Sequence, residues 1–130
     1  MQIPDHVLVF DARGTLQKSD IERFDRQIQE KLARYQRIGI VANVEQLEGM
    51  TIGAVMKDIA AELKYLGDWH RFPRLAVLAS GGFVKSAAEV VGKLLPQIQV
   101  RTFEPAELEK AVDFARSFQM QSVAEAGGEG

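Results

Sequence analysis

Hydrophobic residues occur along the chain in four short runs, which predict β-strands. The runs lie at 6–10, 38–44, 75–79 and 98–103 and are rich in valine, isoleucine and leucine. Residues 38–44 and 75–79 are almost continuously apolar, as expected for strands with both faces covered. Residues 98–103 alternate between apolar and polar side chains, which predicts a strand near one edge of the sheet. Residues 1–3 would extend the sheet by a short fifth strand, limited by Pro4.

Apolar residues at helical spacing follow each of these runs and predict about four helices. Ser19 and Glu22 form a capping-box pattern, which predicts the start of the first helix. Thr51 is placed to cap a second helix over 51–66, a third spans 84–95, and Pro105 suits the first position of the last. The apolar stripes of the first and last helices consist of Ile21, Phe24, Ile28, Leu32 and Tyr35, and of Leu108, Ala111, Val112, Ala115 and Phe118.

The alternation of strands and helices predicts an α/β fold. Crossovers between neighbouring strands give a four- to five-stranded mixed, mostly parallel sheet with about four helices. At 130 residues the chain suits one domain, for which we expect residues 1–119, followed by a flexible tail over 120–130 that lacks apolar periodicity.

Composition narrows the function classes. The chain has no cysteine, which excludes disulfides and thiolate chemistry, and its 16 Lys+Arg against 18 Asp+Glu create no field that would attract nucleic acid. A cluster of basic residues over 13–37 is interpreted as a solvated helix face, with an anion-binding surface as the alternative. No apolar run approaches the length of a membrane span, and the amino terminus lacks a signal-peptide pattern, so we expect a cytoplasmic protein.

Several local segments, in this order, resemble the SpoIIAA-like family of the STAS superfamily. They are Gly14-Thr15-Leu16 after the first strand, Asp20 near the start of the first helix, Asn43-Val44 at the end of the second run, residues 72–78, and residues 100–103 leading to 107–111. The resemblance spans roughly residues 7–118 and implies a SpoIIAA-like fold.

The resemblance also implies a regulatory role. Related STAS domains are anti-sigma-factor antagonists, switched by phosphorylation of a serine that begins the helix after the second long strand. That place falls near Thr51 in this chain, where the Asp-Ser-Ser-Gly pattern of those antagonists is missing. The fold is also similar to the lipid-binding domain of CRAL-TRIO proteins, which points to apolar ligands.

Two groups of residues are candidate sites. Thr51 at a helix start and Ser80, Gly81 and Gly82 after a strand could hold a phosphate or another anion, or could be an ordinary cap and turn. The second group combines flexible methionines with aromatic rings near the second predicted helix and the third strand, which suits an apolar ligand pocket or plain core packing. Its members are Met50, Met56, Trp69, Phe72 and Phe83.

Three functions remain in order of preference. The first is a non-enzymatic regulatory or protein-interaction module, and the second a carrier or sensor of a small apolar ligand. An enzyme ranks last, because His70 and Asp58 lack a supporting motif. We expect no catalytic residue, metal or cofactor, a protein partner or a small apolar ligand, and a homodimer on general frequency alone.

Overall fold

The structure is a computed structural model that describes residues 2–14, 17–47, 57, 61, 71–79 and 98–118. Within these residues four strands form one sheet in the order β1-β2-β3-β4, and every neighbouring pair is parallel. The strands are β1 (Val7–Gly14), β2 (Gly39–Leu47), β3 (Arg74–Leu78) and β4 (Gln99–Phe103). The predicted α/β fold with a parallel core sheet is confirmed.

The strand positions follow from the apolar pattern of the chain. The two central strands, β2 and β3, come from the continuously apolar runs, and the alternating run forms the edge strand β4. Their registers align Leu8 with Ile40, Ile40 with Leu75, and Leu75 with Val100. Residues 2–6, which precede β1, form no strand, so the fifth strand is not found among the described residues.

Helix α1 (Lys18–Leu32) covers one face of the sheet. Phe24 and Ile28 are fully buried from its stripe, and the rings of Phe24 and Phe10 lie 4.6 Å apart between centroids. They belong to a core cluster with side chains from all four strand regions, including Ile40, Leu75 and Ile98. The predicted stripe therefore packs on the sheet.

The predicted cap of α1 was wrong by two positions. The helix is capped at Gln17, whose backbone N–H donates to the Asp20 carboxylate (2.8 Å), while Ser19 lies inside the first turn. The Asp20 carboxylate accepts the free Gln17 N–H as the Glu of a capping box would, and the Asp20 N–H donates to the Gln17 carbonyl oxygen (2.9 Å), so the cap lies at 17–20 rather than 19–22.

Arg71 closes the carboxyl end of the same helix. Its guanidinium donates hydrogen bonds to the carbonyls of Leu32 (2.8 Å), Tyr35 (3.1 Å) and Gln36 (2.9 Å). Leu32 is the last residue of α1, so its carbonyl has no partner within the helix, and a cation also interacts favourably with the negative end of the helix dipole. The connection thus ties the segment before β3 to the end of α1.

Helix α2 (Leu108–Arg116), preceded by a 3-10 turn over Pro105–Glu107, covers the opposite face. Its buried residues Ala111, Val112 and Ala115 pack with Val41 and Ala76 of the central strands. The helix comes so close to the start of β2 that a Cβ atom added at Gly39 would lie 2.0 Å from the Ala115 carbonyl oxygen. Only a residue without a side chain fits there.

The second and third predicted helices and the predicted tail lie outside the described residues, apart from Lys57 and Ala61, which are helical and exposed. No described helix has both the length and the apolar character required to cross a membrane.

Candidate functional site

The carboxyl ends of the four parallel strands lie along one border of the sheet, which we call the carboxyl edge. Open α/β sheets usually bind ligands there. The end of β1 is irregular at this edge. Its pairing with β2 shifts register between Asp11 and Arg13, and Gly14 adopts a φ of 62°, a conformation that glycine tolerates. The irregular strand end lies beside the amino-terminal half of α1.

An open cleft of about 380 Å³ lies between α1 and the middle of β1, and it reaches Asp11, where the register shift begins. Its walls combine two aliphatic or aromatic residues of β1 with carboxylate, guanidinium and amide groups. They are Val9, Phe10, Asp11, Asp20, Arg23 and Gln27. The volume is within the range of sites that hold a small molecule or a side chain of a partner.

Arg23 is the central polar side chain of this cleft. Its guanidinium lies 5.4 Å from the centroid of the Phe10 ring and 3.5 Å from the Asp11 carbonyl oxygen, to which it donates. It also lies 3.7 Å from the Asp20 carboxylate, one helical turn away. The side chain is 44% exposed, so these weak contacts orient the guanidinium and leave donors free to bind another molecule.

Asp20 has two roles in the cleft. One carboxylate oxygen accepts the Gln17 N–H at the start of α1, and the other faces Arg23. The helix start therefore fixes the position of the carboxylate, and the carboxylate orients the arginine. Together they present both signs of charge beside an apolar wall, which suits recognition of a polar protein surface.

The described residues contain no group of three histidine or acidic side chains arranged to hold a metal ion. The described core is entirely apolar, with no buried polar or charged residue.

A second polar cluster joins the segment before β1 to the carboxyl-terminal end of α1. The Tyr35 hydroxyl donates to the Asp5 carboxylate (2.9 Å), and Lys31 and Arg34 lie 3.5 and 3.3 Å from the same group. The hydrogen bond from Tyr35 lowers the pKa of Asp5 and raises that of Tyr35. Because this cluster lies at the amino edge, we interpret it as a structural tie between chain segments.

Of the residues proposed from sequence as a site, Phe72 is the one that the structure describes. It is 1% exposed and packs in the core cluster with Phe10 and Phe24. Met50, Met56, Trp69, Phe83, Thr51, Ser80, Gly81 and Gly82 lie outside the described residues. The strands that precede residues 49–56 and 80–83 are the neighbours β2 and β3, whose registers pair Asn43 with Leu78 near the carboxyl edge.

The pattern of residues along α1 does not by itself indicate the Arg23 cleft. Arg23 was interpreted as part of a solvated helix face, which agrees with its exposure but misses its contacts with Phe10 and Asp11. The available signals were the i, i+3 spacing of Asp20 and Arg23 and the position of Asp11 directly after the first predicted strand.

Comparison with known proteins assigns the family. A family model described as SpoIIAA-like matches residues 7–116. The chain belongs to the SpoIIAA-like family. The resemblance noted from the sequence is thereby confirmed.

A solved structure supports the fold. An uncharacterised protein from Shewanella loihica, a member of the DUF3478 family with a SpoIIAA-like fold, superposes with a TM-score of 0.60. The two chains share 24% identity, and the alignment covers 82% of each. A search of curated proteins found no match.

Proposed function

We propose that this SpoIIAA-like protein is a non-enzymatic regulatory module of the STAS type that binds a partner protein across the carboxyl edge of its sheet. Family membership supports the regulatory class. The location is supported by the polar cleft that reaches Asp11, where the register shift of β1 begins.

The observation that carries the proposal is that Arg23 is oriented by its neighbours and still accessible to another molecule. Arginines and aromatic residues contribute most of the binding energy in many protein interfaces, particularly when they are held in one orientation. Arg23 is oriented by Phe10 and Asp20 and is still half exposed. A partner carboxylate or main-chain carbonyl would gain a preorganised donor at little cost in side-chain entropy.

Regulation by an anion at the same edge is part of the proposal. Thr51 and Ser80-Gly81-Gly82 follow the adjacent strands β2 and β3 in the sequence. Phosphorylation of Thr51 would add about two negative charges at physiological pH. Such a charge would change the electrostatic balance at the carboxyl edge and so alter partner affinity.

Native mass spectrometry of the protein, purified gently from its own host, tests the proposal. A second protein bound in fixed stoichiometry to the 14.4 kDa chain, and released on denaturation, is the expected result. A covalent phosphate mapped to Thr51 would support the switch. A stoichiometric small apolar molecule with no bound protein would contradict the proposal and favour the carrier function.

A further inference from the structure

A groove separate from the Arg23 cleft runs between the edge strand β4 and helix α2, on the other face of the sheet. It has a volume of about 390 Å³ and is lined by three cations and one carboxylate. The cations are Arg74, Arg101 and Lys110, and the carboxylate is Asp113. The lining therefore carries an excess of positive charge although the whole chain has a net charge of −2.

Two phenylalanines hold the arginines of this groove in place. The Arg74 guanidinium lies 4.8 Å from the centroid of the Phe114 ring and donates to the Phe114 carbonyl oxygen (3.1 Å). The Arg101 guanidinium lies 5.4 Å from both the Phe103 and the Phe114 centroid. Cation–π contacts orient a guanidinium and leave its N–H donors free for an anion.

The positive charge of Arg101 is not neutralised within the described part of the chain. Asp113 forms an ion pair with Arg116 (3.8 Å), and Lys110 with Glu107 (3.4 Å), whereas Arg101 forms none with any described carboxylate. Arg101 is exposed on the edge strand. A carboxylate brought by another molecule would therefore find an oriented and uncompensated guanidinium.

The strand that carries Arg101 also offers main-chain groups for pairing. The Gln99 N–H donates to Pro73 O (3.0 Å), and Phe103 O accepts from the Ala79 N–H (3.1 Å). Because alternate residues of a parallel strand direct both main-chain groups to the same side, Val100 and Thr102 direct theirs to the outer edge. No strand occupies that edge among the residues that the structure describes.

We propose that the β4–α2 groove binds an extended acidic segment of a partner protein, which pairs with Val100 and Thr102 and places a carboxylate against Arg101. Alternate side chains of an added strand lie about 7 Å apart on one face, so an acidic side chain on the face of α2 can reach Arg101 while the main chain pairs with β4. This inference rests on the proposed function in that both make the protein a partner-binding module, but it concerns a different surface.

An NMR titration of the whole chain tests the proposal. The ¹⁵N-labelled protein is titrated with a peptide of about ten residues in which Glu and Thr alternate, and separately with a peptide in which Gln replaces every Glu. We expect saturable shifts of the Val100 and Thr102 amides and of residues 110–117 with the Glu peptide, and much weaker effects with the Gln peptide. Arg101→Gln should weaken binding about fivefold.

Arg26→Gln is the matched control, because Arg26 is an exposed arginine on α1, on the opposite face of the sheet. It should leave the affinity unchanged. Equal binding of both peptides, shifts confined to other surfaces, or saturation by inorganic phosphate but not by the Glu peptide would each overturn the proposal. The proposal would also be overturned if the Glu peptide did not bind, the wild-type protein co-sedimented with phosphatidylserine vesicles, and Arg101→Gln abolished that co-sedimentation.

The two proposals can fail separately. Loss of the host partner in Arg23→Ala but not in Arg101→Gln, without peptide binding, would remove the acidic-segment groove and leave the proposed function in place. Peptide binding at β4 without any host partner at the carboxyl edge would remove the proposed function and leave the acidic-segment groove in place.

Discussion

Replacing Gly39 by alanine tests how closely helix α2 approaches the sheet. The added Cβ would lie 2.0 Å from the Ala115 carbonyl oxygen and 3.1 Å from the Ala115 Cβ. Because the oxygen belongs to a helix backbone, the steric overlap can be removed only if the helix or the strand moves. The gap must widen from 2.0 Å to at least 3.0 Å.

The surrounding core resists that movement. Helix α2 is anchored by Ala111 and Val112, which pack against Val41 and Ala76. Overpacking of a well-packed core costs about 1–3 kcal/mol, and displacing a helix backbone belongs at the upper end of that range. We therefore expect Gly39→Ala to destabilise the protein by about 3 kcal/mol and to lower Tm by roughly 10 °C.

Chemical denaturation followed by circular dichroism measures the effect, with a shifted midpoint and an unchanged m-value as the expected signature. Gly14→Ala is the control, because a Cβ there meets nothing within 4 Å and the position is strained only by its φ of 62°. It should cost about 1–2 kcal/mol. A Gly39→Ala protein within about 0.5 kcal/mol of the wild type would refute the close approach of α2.

Two further predictions concern the contacts that join chain segments. Arg71→Ala removes three hydrogen bonds to carbonyls at and just after the end of α1 and should destabilise the protein by about 2 kcal/mol in denaturant titrations. Arg71→Lys should recover only part of this stability, because an ammonium lacks the planar fork of a guanidinium. Equal stability of all three proteins would contradict the capping role. Asp5 has a lowered pKa when folded, so its stabilising effect is present above its ordinary pKa and is lost as pH falls through the folded value. The difference in Tm between wild type and Asp5→Asn should therefore shrink towards low pH, and the alkaline absorbance titration of Tyr35 should move to lower pH in the variant; an unchanged tyrosine titration would exclude their hydrogen bond.

The sheet and its two described helices could be predicted because the spacing of apolar residues within each segment shows which of its faces are buried. The runs that became β2 and β3 are apolar on both faces, since α1 and α2 cover opposite sides of the sheet. The alternation in β4 likewise reflects its place at the edge, where Gln99 and Arg101 remain exposed. Burial of one or both faces of an element sets the spacing of its apolar residues, and this spacing can be recognised in the sequence before the fold is known.

Features that depend on distant segments could not be predicted. Arg71 follows a long stretch of sequence after the helix it caps, and nothing local indicates that its donors reach Leu32 and Tyr35. The Arg23 cleft depends on where β1 ends relative to α1, which the helix pattern alone does not fix. The cap of α1 was placed at Ser19 because Ser19 and Glu22 match the common capping-box pattern, whereas the structure uses Gln17 and Asp20.

The central claim, that the protein binds a partner across the carboxyl edge of its sheet, is tested most directly by quantitative capture from the native host with Arg23→Ala and Arg26→Ala compared side by side. Both remove one exposed arginine of α1, but only Arg23 lines the cleft. The account predicts one reproducible partner whose affinity falls about tenfold or more in Arg23→Ala and is unchanged in Arg26→Ala. Recovery of no partner, or of a partner equally indifferent to both changes, would contradict it.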